Sequence, residues 1–376
     1  MPAGCWVAPE MTGSQAGDPP FSGSYDPADV TFLLKPVVID ATDITTKETM
    51  IQSGRRHYSE MIAPESVPDA DYLALYEDAL ARNLGRLAGD VASLAAGIAA
   101  RRPDREIVIA SLARAGTPIG VLLARTLRGW GRTVSHYSLS IIRGRGVDRN
   151  ALRYMAARHD PADVVFVDGW TGKGAIADEL RSSLAERPFG FAPFLAVIAD
   201  PAGQADMAAG EDDYLIASGL LNGIVSGLVS RSILREDVVG PDDFHACVTY
   251  PQHAAADLSR AFVDALGPKA AAAVPQEIGG HEGRRTVLRS ACEATLRHLL
   301  HLAGTSDRNR IKPGIAEATR AFLRRMPERL LVRDPGDPDV AHLLHLAGRA
   351  GVATERLADD SRYRAVAIIR SLGNDI

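Results

Sequence analysis

The sequence predicts an α/β protein, a doubly wound parallel sheet followed by a second, smaller α/β domain. Apolar runs at 107–110 (IVIA), 164–167 (VVFV) and 194–199 (FLAVIA) leave neither face for water and alternate with helical stretches. Strands of a parallel sheet covered by helices have this pattern. A stretch rich in Ala, Gly and Pro at 266–282 then breaks the alternation and marks a boundary.

In chain order, residues 1–20 are dense in Gly, Pro and Ser and are expected to form a disordered tail, leaving 21–265 for the first domain. Order is expected to begin at 21–25, ahead of 30–34 and a strand-like 37–39. The polar segment 45–60 is dense in groups able to contact a ligand: Lys47, Glu48, Gln52, Arg55, Arg56, His57, Tyr58 and Glu60. Leucines at helical spacing predict an amphipathic helix over 71–100. Strands follow at 107–110, 134–142, 164–167 and 194–199, with helices between them. Small residues at 217–231 read either as tight packing or as a hood over a ligand with Asn222, Ser226 and Arg231 as its polar members. After the linker, 283–376 reads as a helix at 284–303 and a small α/β unit with a strand at 330–333.

The most informative stretch is 163–176, DVVFVDGWTGKGAI. It runs from a buried strand through one acid into a loop of threonine, glycine and lysine, and then into a helix. Unpaired N–H groups and the positive helix end converge in such a loop, which suits a phosphate. Gly172 and Gly174 would let the backbone approach an anion, and Asp168 would hold sugar hydroxyls or magnesium. A nucleoside-triphosphatase loop needs GxxxxGK[ST], but Val167 stands where the first glycine belongs and Gly174 where Ser or Thr belongs. Residues 111–118 form a second strand-to-helix loop around Arg114, a residue suited to charge-assisted contacts. A glycine-spaced basic loop with Arg143 and Arg145 follows the 134–142 strand and suits closure over a polyphosphate.

Composition narrows the class. A chain of 376 residues has room for two domains, and a net charge of -5 gives no global basic field for nucleic acid. Three scattered cysteines, Cys5, Cys247 and Cys292, show no metal spacing and predict a reducing compartment. No long apolar run and no signal-like amino terminus are present, so the expected location is the cytoplasm, without a membrane.

The 163–176 stretch resembles the diphosphoribose-binding motif of type I phosphoribosyltransferases, with Gly169 in place of a usual second acid and a shorter loop. The resemblance implies that Asp168 contacts the ribose and that Gly169, Trp170, Thr171, Gly172, Lys173 and Gly174 cradle the 5-phosphate. The 111–118 loop is similar to the pyrophosphate loop of uracil-type members, which implies that Arg114 meets the pyrophosphate beside Ser111, Ala115, Gly116 and Thr117. The carboxyl-terminal unit resembles the Pelota-type RNA-binding fold, with Lys312, Gly314, Glu317, Thr319 and Arg320 matching its RNA-contacting stretch and Pro313 departing from it. FSGSYDPADVTFLLK, IQSGRRHYSEM and VDGWTGKG together resemble the bacterial StiP family, which joins these two domains and accompanies tellurite-resistance gene clusters.

These resemblances imply transfer of a 5-phosphoribosyl group from phosphoribosyl pyrophosphate to a base-like acceptor, with Asp168, Arg114, Arg143 and Arg145 as catalytic residues. They also imply magnesium at Asp168, a nucleotide or RNA as partner, and a homodimer. Two alternatives stay open. One is a non-catalytic nucleotide- or RNA-binding stress protein, suggested by the missing second acid. The other is a cysteine protease, a label the StiP family also carries. Cys247 has His245 two residues away, the spacing of a same-face pair on a strand, but no protease signature surrounds any cysteine.

Overall fold

The computed structural model describes residues 20–278 and 282–372, so the tail expected at 1–20 lies outside the described residues except for its last member. Six parallel strands form one sheet, in the spatial order Thr31–Leu33, Val134–Leu139, Ile107–Leu112, Val164–Trp170, Leu195–Ala199, Met207–Gly210. The unbroken apolar runs are explained by burial on both faces. Ile107, Ile109, Val165, Val167 and Ile198 pack with helices Ala70–Ala100, Gly116–Gly129 and Ser259–Ala272. Val108, Ala110, Phe166 and Val197 face the other way, against helices Arg149–Ala156 and Ala175–Ser183. Helix Ala70–Ala100 starts where the Asp69 carboxylate accepts the Tyr72 N–H at 2.9 Å.

Several elements differ from the sequence reading. The strand expected at 164–167 runs on to Trp170, so Asp168 lies within it and not at its tip. The strand expected at 134–142 stops at Leu139, and Ile141–Ile142 turns back against Gly146–Val147 as a hairpin carrying Arg143 and Arg145. The strand-like 37–39 forms no strand; Lys35–Pro36 pairs with Ala246–Cys247 instead. The linker expected from 266 begins later, because Phe262, Leu266 and Ala270 are buried and hold helix Ser259–Ala272 together through its Pro268.

Gly116, read as a ligand-binding glycine, has a packing role. A Cβ there would meet the Val167 carbonyl oxygen at 2.3 Å and Asp168 Cα at 3.2 Å, both on the neighbouring strand. Gly116→Ala should therefore destabilise the protein by about 1–3 kcal/mol, the usual cost of overpacking. Urea denaturation checks this, and an unchanged midpoint would show that helix and strand can separate freely.

The carboxyl-terminal unit is a mixed four-stranded sheet in the order Ile311–Pro313, Ala365–Ile369, Pro327–Val332, Ala353–Arg356, flanked by helices Glu282–Leu302, Ile315–Arg324 and Ala341–Ala350. It is joined to the first sheet by a shared apolar cluster that includes Leu215 and Leu220 on one side and Ile315, Ala318 and Leu343 on the other. Helix Ile315–Arg324 follows Gly314, which has φ +91 and no capping side chain. Its cap comes from the other unit: buried Asp213 accepts the Ile315 N–H at 3.0 Å and the Arg364 N–H at 2.8 Å. Glu48 and Arg325 add a bidentate ion pair across the junction, at 2.5 and 2.6 Å. Among the described residues no helix is long and apolar enough to cross a membrane.

Candidate functional site

The docked units enclose a cavity of about 260 Å³ at the carboxyl end of strand Val164–Trp170. Eight basic side chains line it: Lys47, Arg143, Lys173, Arg231, Lys312, Arg320, Arg324 and Arg325. Two acids, Asp168 and Glu317, share the lining with Trp170, Tyr58 and the 171–174 loop. Two stretches far apart in sequence, the loop after Asp168 and the Lys312–Arg320 segment, thus face each other across one space.

The contacts are direct. Tyr363 Oη donates to the Gly172 carbonyl at 2.7 Å, and a Cβ on Gly172 would lie 2.7 Å from Glu317 Cγ. The Arg320 guanidinium stacks over the Trp170 ring at 4.5 Å. Lys47, on helix Ile44–Gln52, donates to the Arg324 carbonyl at 3.1 Å. Arg231 donates to the carbonyls of Tyr58, at 2.5 Å, and Met61. Arg324 donates from Nε to Asn222 Oδ1 at 2.9 Å.

Burial first, and crowding of like charge second, shift the titrations. Burial, then Arg231, Arg324 and Arg325, brings the Lys47 ammonium down to about 7. Burial, then Lys173 and Arg325, does the same to Lys312, also to about 7. Lys173 falls to about 8, again through burial first and Arg143 next. Burial lowers Arg231 to about 10 and depresses Arg324 strongly, with Arg114 and Arg320 adding to the effect. Asp168 is pushed up to about 6 by burial, against the pull of Arg320. Burial alone would raise Glu317, yet Arg320, Lys312, Lys173 and Arg324 hold it below its ordinary value.

Other expected site residues lie elsewhere or are already engaged. Arg114 is buried in a pair with Glu65, at 2.5 and 3.0 Å, and donates further to the Val229 carbonyl and to Asn222. Its guanidinium therefore braces the core and is not presented to a pyrophosphate. Ser111 Oγ is buried 2.8 Å from His136 Nε2, and Thr117 Oγ1 2.7 Å from Ser138 Oγ. Ala115 opens helix Gly116–Gly129 with no side chain to offer. The Thr171 hydroxyl is committed to Asp200, and Lys173 to the carbonyls of Arg308 and Ile311, so neither is free to wrap a phosphate as the sequence reading expected. Gly169 is buried within its strand, and Gly174 starts helix Ala175–Ser183 with φ +88. Arg145 is exposed, 3.0 Å from Glu60, and does not line the cavity that Arg143 lines. Ser226 is buried and donates to the Asn222 carbonyl. In the Pelota-like stretch, Thr319 is a core residue 2.7 Å from His342 Nε2, and Gly314 turns the chain, whereas Lys312, Glu317 and Arg320 reach the cavity.

Arg324 and Arg325 were missed by the sequence reading. The available signal was helical spacing, because Glu317, Arg320 and Arg324 fall on one face of helix Ile315–Arg324.

Neither described thiol has a nucleophile's surroundings. Cys247 is fully buried and pushed up to about 12, while burial also raises Cys292, whose sulfur lies 2.8 Å from Tyr363 Oη. His245, expected beside Cys247, lies 2.7 Å from Ser140 Oγ through Nδ1. Cys5 lies outside the described residues. No group of three metal-ligating side chains occurs among the described residues.

Comparison with known proteins assigns two regions. Residues 23–267 match the family described as tellurite-like stress resistance cysteine protease StiP, and residues 290–371 match the PELOTA RNA binding domain. The protein named cysteine protease StiP of Acinetobacter baylyi is 40% identical over 365 residues, covering 94% of this chain and 95% of the relative. Solved structures superpose weakly. The phosphoribosyltransferase from Leishmania tarentolae in complex with GMP gives a TM-score of 0.27 at 16% identity over 34% of this chain and 77% of that one. The hypoxanthine phosphoribosyltransferase of Trypanosoma cruzi gives 0.27 at 15% identity over 34% and 80%. The expectation of a phosphoribosyltransferase is corrected by these findings, since the family and the 40% identical relative carry the name of a cysteine protease. On the extent of both matches, the chain belongs to the StiP family.

Proposed function

We propose that the protein serves stress resistance by binding a phosphate monoester, on a nucleotide or on the end of an RNA, in the cavity between its two units. One observation carries this reading. Of the eight basic residues in the lining, only Arg320 and Arg325 make ion pairs among the described residues, with Glu317 at 3.4 Å and Glu48 at 2.5 Å. Of the six others Lys47 and Lys312 are buried and Arg143, Lys173, Arg231 and Arg324 are half-buried. Crowded cations withdrawn from water without counter-charges are costly, and an anionic ligand supplies what is missing. At about 260 Å³ the cavity is close to the small end of small-molecule pockets, about 300 Å³, which suits a compact phosphorylated ligand. The match to an RNA-binding domain supports RNA as one source of the phosphate. Magnesium would come with the phosphate, Asp168 giving one carboxylate and the ligand most of the oxygens. Helices on both faces support the doubly wound reading of the sheet. A cytoplasmic location fits the same ligand class.

Calorimetric titration with pyrophosphate, a nucleoside monophosphate and a short RNA with 5′-phosphate or 5′-hydroxyl tests the reading. Binding that requires the phosphate supports it, and equal binding of both RNAs overturns it. The affinity also carries a pH signature. Lys47 near 7 and Lys173 near 8 must be charged to attract the anion. Binding should take up protons and weaken by about tenfold or more between roughly pH 7 and 9. A flat profile would remove the lysines from the site.

A second reading, thiol proteolysis, is favoured by the name of the 40% identical relative. It requires a reactive cysteine. Burial of both described thiols predicts that Cys247 and Cys292 resist iodoacetamide in the native protein and react only on unfolding. Casein hydrolysis that disappears in a folded Cys247→Ser or Cys292→Ser variant would establish the protease instead.

A further inference from the structure

The sequence uses lysine sparingly: of 42 Lys and Arg residues only Lys35, Lys47, Lys173, Lys269 and Lys312 are lysines. Three of them, Lys47, Lys173 and Lys312, line the interdomain cavity. Arginine binds phosphate at least as well as lysine, but a guanidinium does not give up its proton and an amine does. A concentration of the few amines in one enclosed space therefore points to chemistry that needs an amine.

The three are not equivalent. Lys173 is held by the carbonyls of Arg308 and Ile311, and Lys47 by the carbonyl of Arg324. Lys312 sits on strand Ile311–Pro313 with its backbone paired to Ala367, and the residue is only 9% exposed. Its Nζ has no hydrogen-bond or ion-pair partner among the described residues. Its surroundings supply cations, and Asp168 and Glu317 line the same space.

We propose that Lys312 is a carbonyl-reactive amine that forms a Schiff base with an aldehyde carrying a phosphate group. The phosphate half rests on the anion-binding reading above; the amine half does not. The neutral amine adds its electron pair to the carbonyl carbon, so a C–N bond forms as the C=O π bond breaks; the oxygen takes a proton and the nitrogen gives one up, leaving a neutral carbinolamine. The hydroxyl then takes a proton and leaves as water while the nitrogen electron pair forms the C=N bond and its last proton is released, so amine and aldehyde become imine and one water with no change of oxidation state. Asp168, which lines the same cavity and is pushed up to about 6 by burial, is the carboxyl suited to exchange these protons near neutral pH, directly or through water. Lys312, brought down to about 7, is substantially neutral there, whereas an exposed lysine is not.

The test is labelling of the full chain with limiting pyridoxal 5′-phosphate at neutral pH, borohydride reduction, and peptide mass mapping. With five lysines the adduct is assigned without ambiguity. The expected result is one adduct on Lys312, formed at least about tenfold faster than on Lys35 or Lys269, because far more of it is neutral at that pH. Lys312→Arg should abolish it while the variant melts normally. Labelling spread over Lys35 and Lys269, or confined to Lys47 or Lys173, overturns the inference, and the unmutated protein alone decides this. Unphosphorylated pyridoxal and competing pyrophosphate separate the two claims. Lys312 labelled equally by both aldehydes, with no protection by pyrophosphate, leaves the amine standing and removes the anion site. Pyrophosphate binding without any Lys312 adduct does the reverse.

Discussion

Arg324→Gln should weaken pyrophosphate binding by about ten- to a hundredfold, the loss of a hydrogen-bonded charge worth roughly 1.5–3 kcal/mol, while the ligand-free protein melts at the same or a higher temperature. The two signs follow from one cause. Arg324 is depressed by burial and by Arg114 and Arg320, with Glu65 as the nearby acid opposing them. Its hydrogen bond goes to neutral Asn222, which also accepts from Arg114 at 3.0 Å and so keeps a partner after the substitution. Removing a poorly compensated charge relieves the empty cavity and starves the occupied one. A structural arginine behaves the opposite way. Lower melting with unchanged affinity would assign Arg324 to packing alone.

Asp213→Ala should destabilise the junction by about 2–4 kcal/mol, because it strands the buried Ile315 N–H and the part-buried Arg364 N–H and uncaps a helix. The consequence reaches the cavity, since Lys312, Glu317, Arg320 and Arg324 all ride on the segment that this carboxylate positions. Anion affinity should fall together with denaturant midpoint. Asp213→Asn retains a carbonyl acceptor and should lose less of both. Limited proteolysis with calorimetry checks the pairing; a destabilised Ala variant that still binds at full affinity would mean that the two units bind without being docked.

The fold was legible where both faces of a strand are buried, because apolar runs such as 164–167 admit few other readings. It was less legible where composition and burial disagree. Alanine and proline near 266–272 read as a linker, yet Phe262, Leu266 and Ala270 bury a helical face through it. The loop after Asp168 and the Lys312–Arg320 stretch could each be picked out, but not their meeting, which depends on Asp213, Glu48 and a shared apolar cluster. Arg114 shows the limit most clearly. Its position after a strand resembled a pyrophosphate loop, whereas its partner Glu65 is 49 residues earlier in a segment with no distinguishing pattern. Charge on a loop is visible in a sequence; the acid that neutralises it is not.

The central claim is that uncompensated cations between the two units hold a phosphate. Anomalous diffraction from crystals soaked in tungstate, a tetrahedral phosphate mimic, locates such an anion directly. The account predicts a tungsten peak inside the cavity, within hydrogen-bonding reach of Lys312 or Arg324 and of the Arg231 side. Tungstate found only on exposed surface arginines such as Arg55 and Arg56, with the cavity empty, would contradict it.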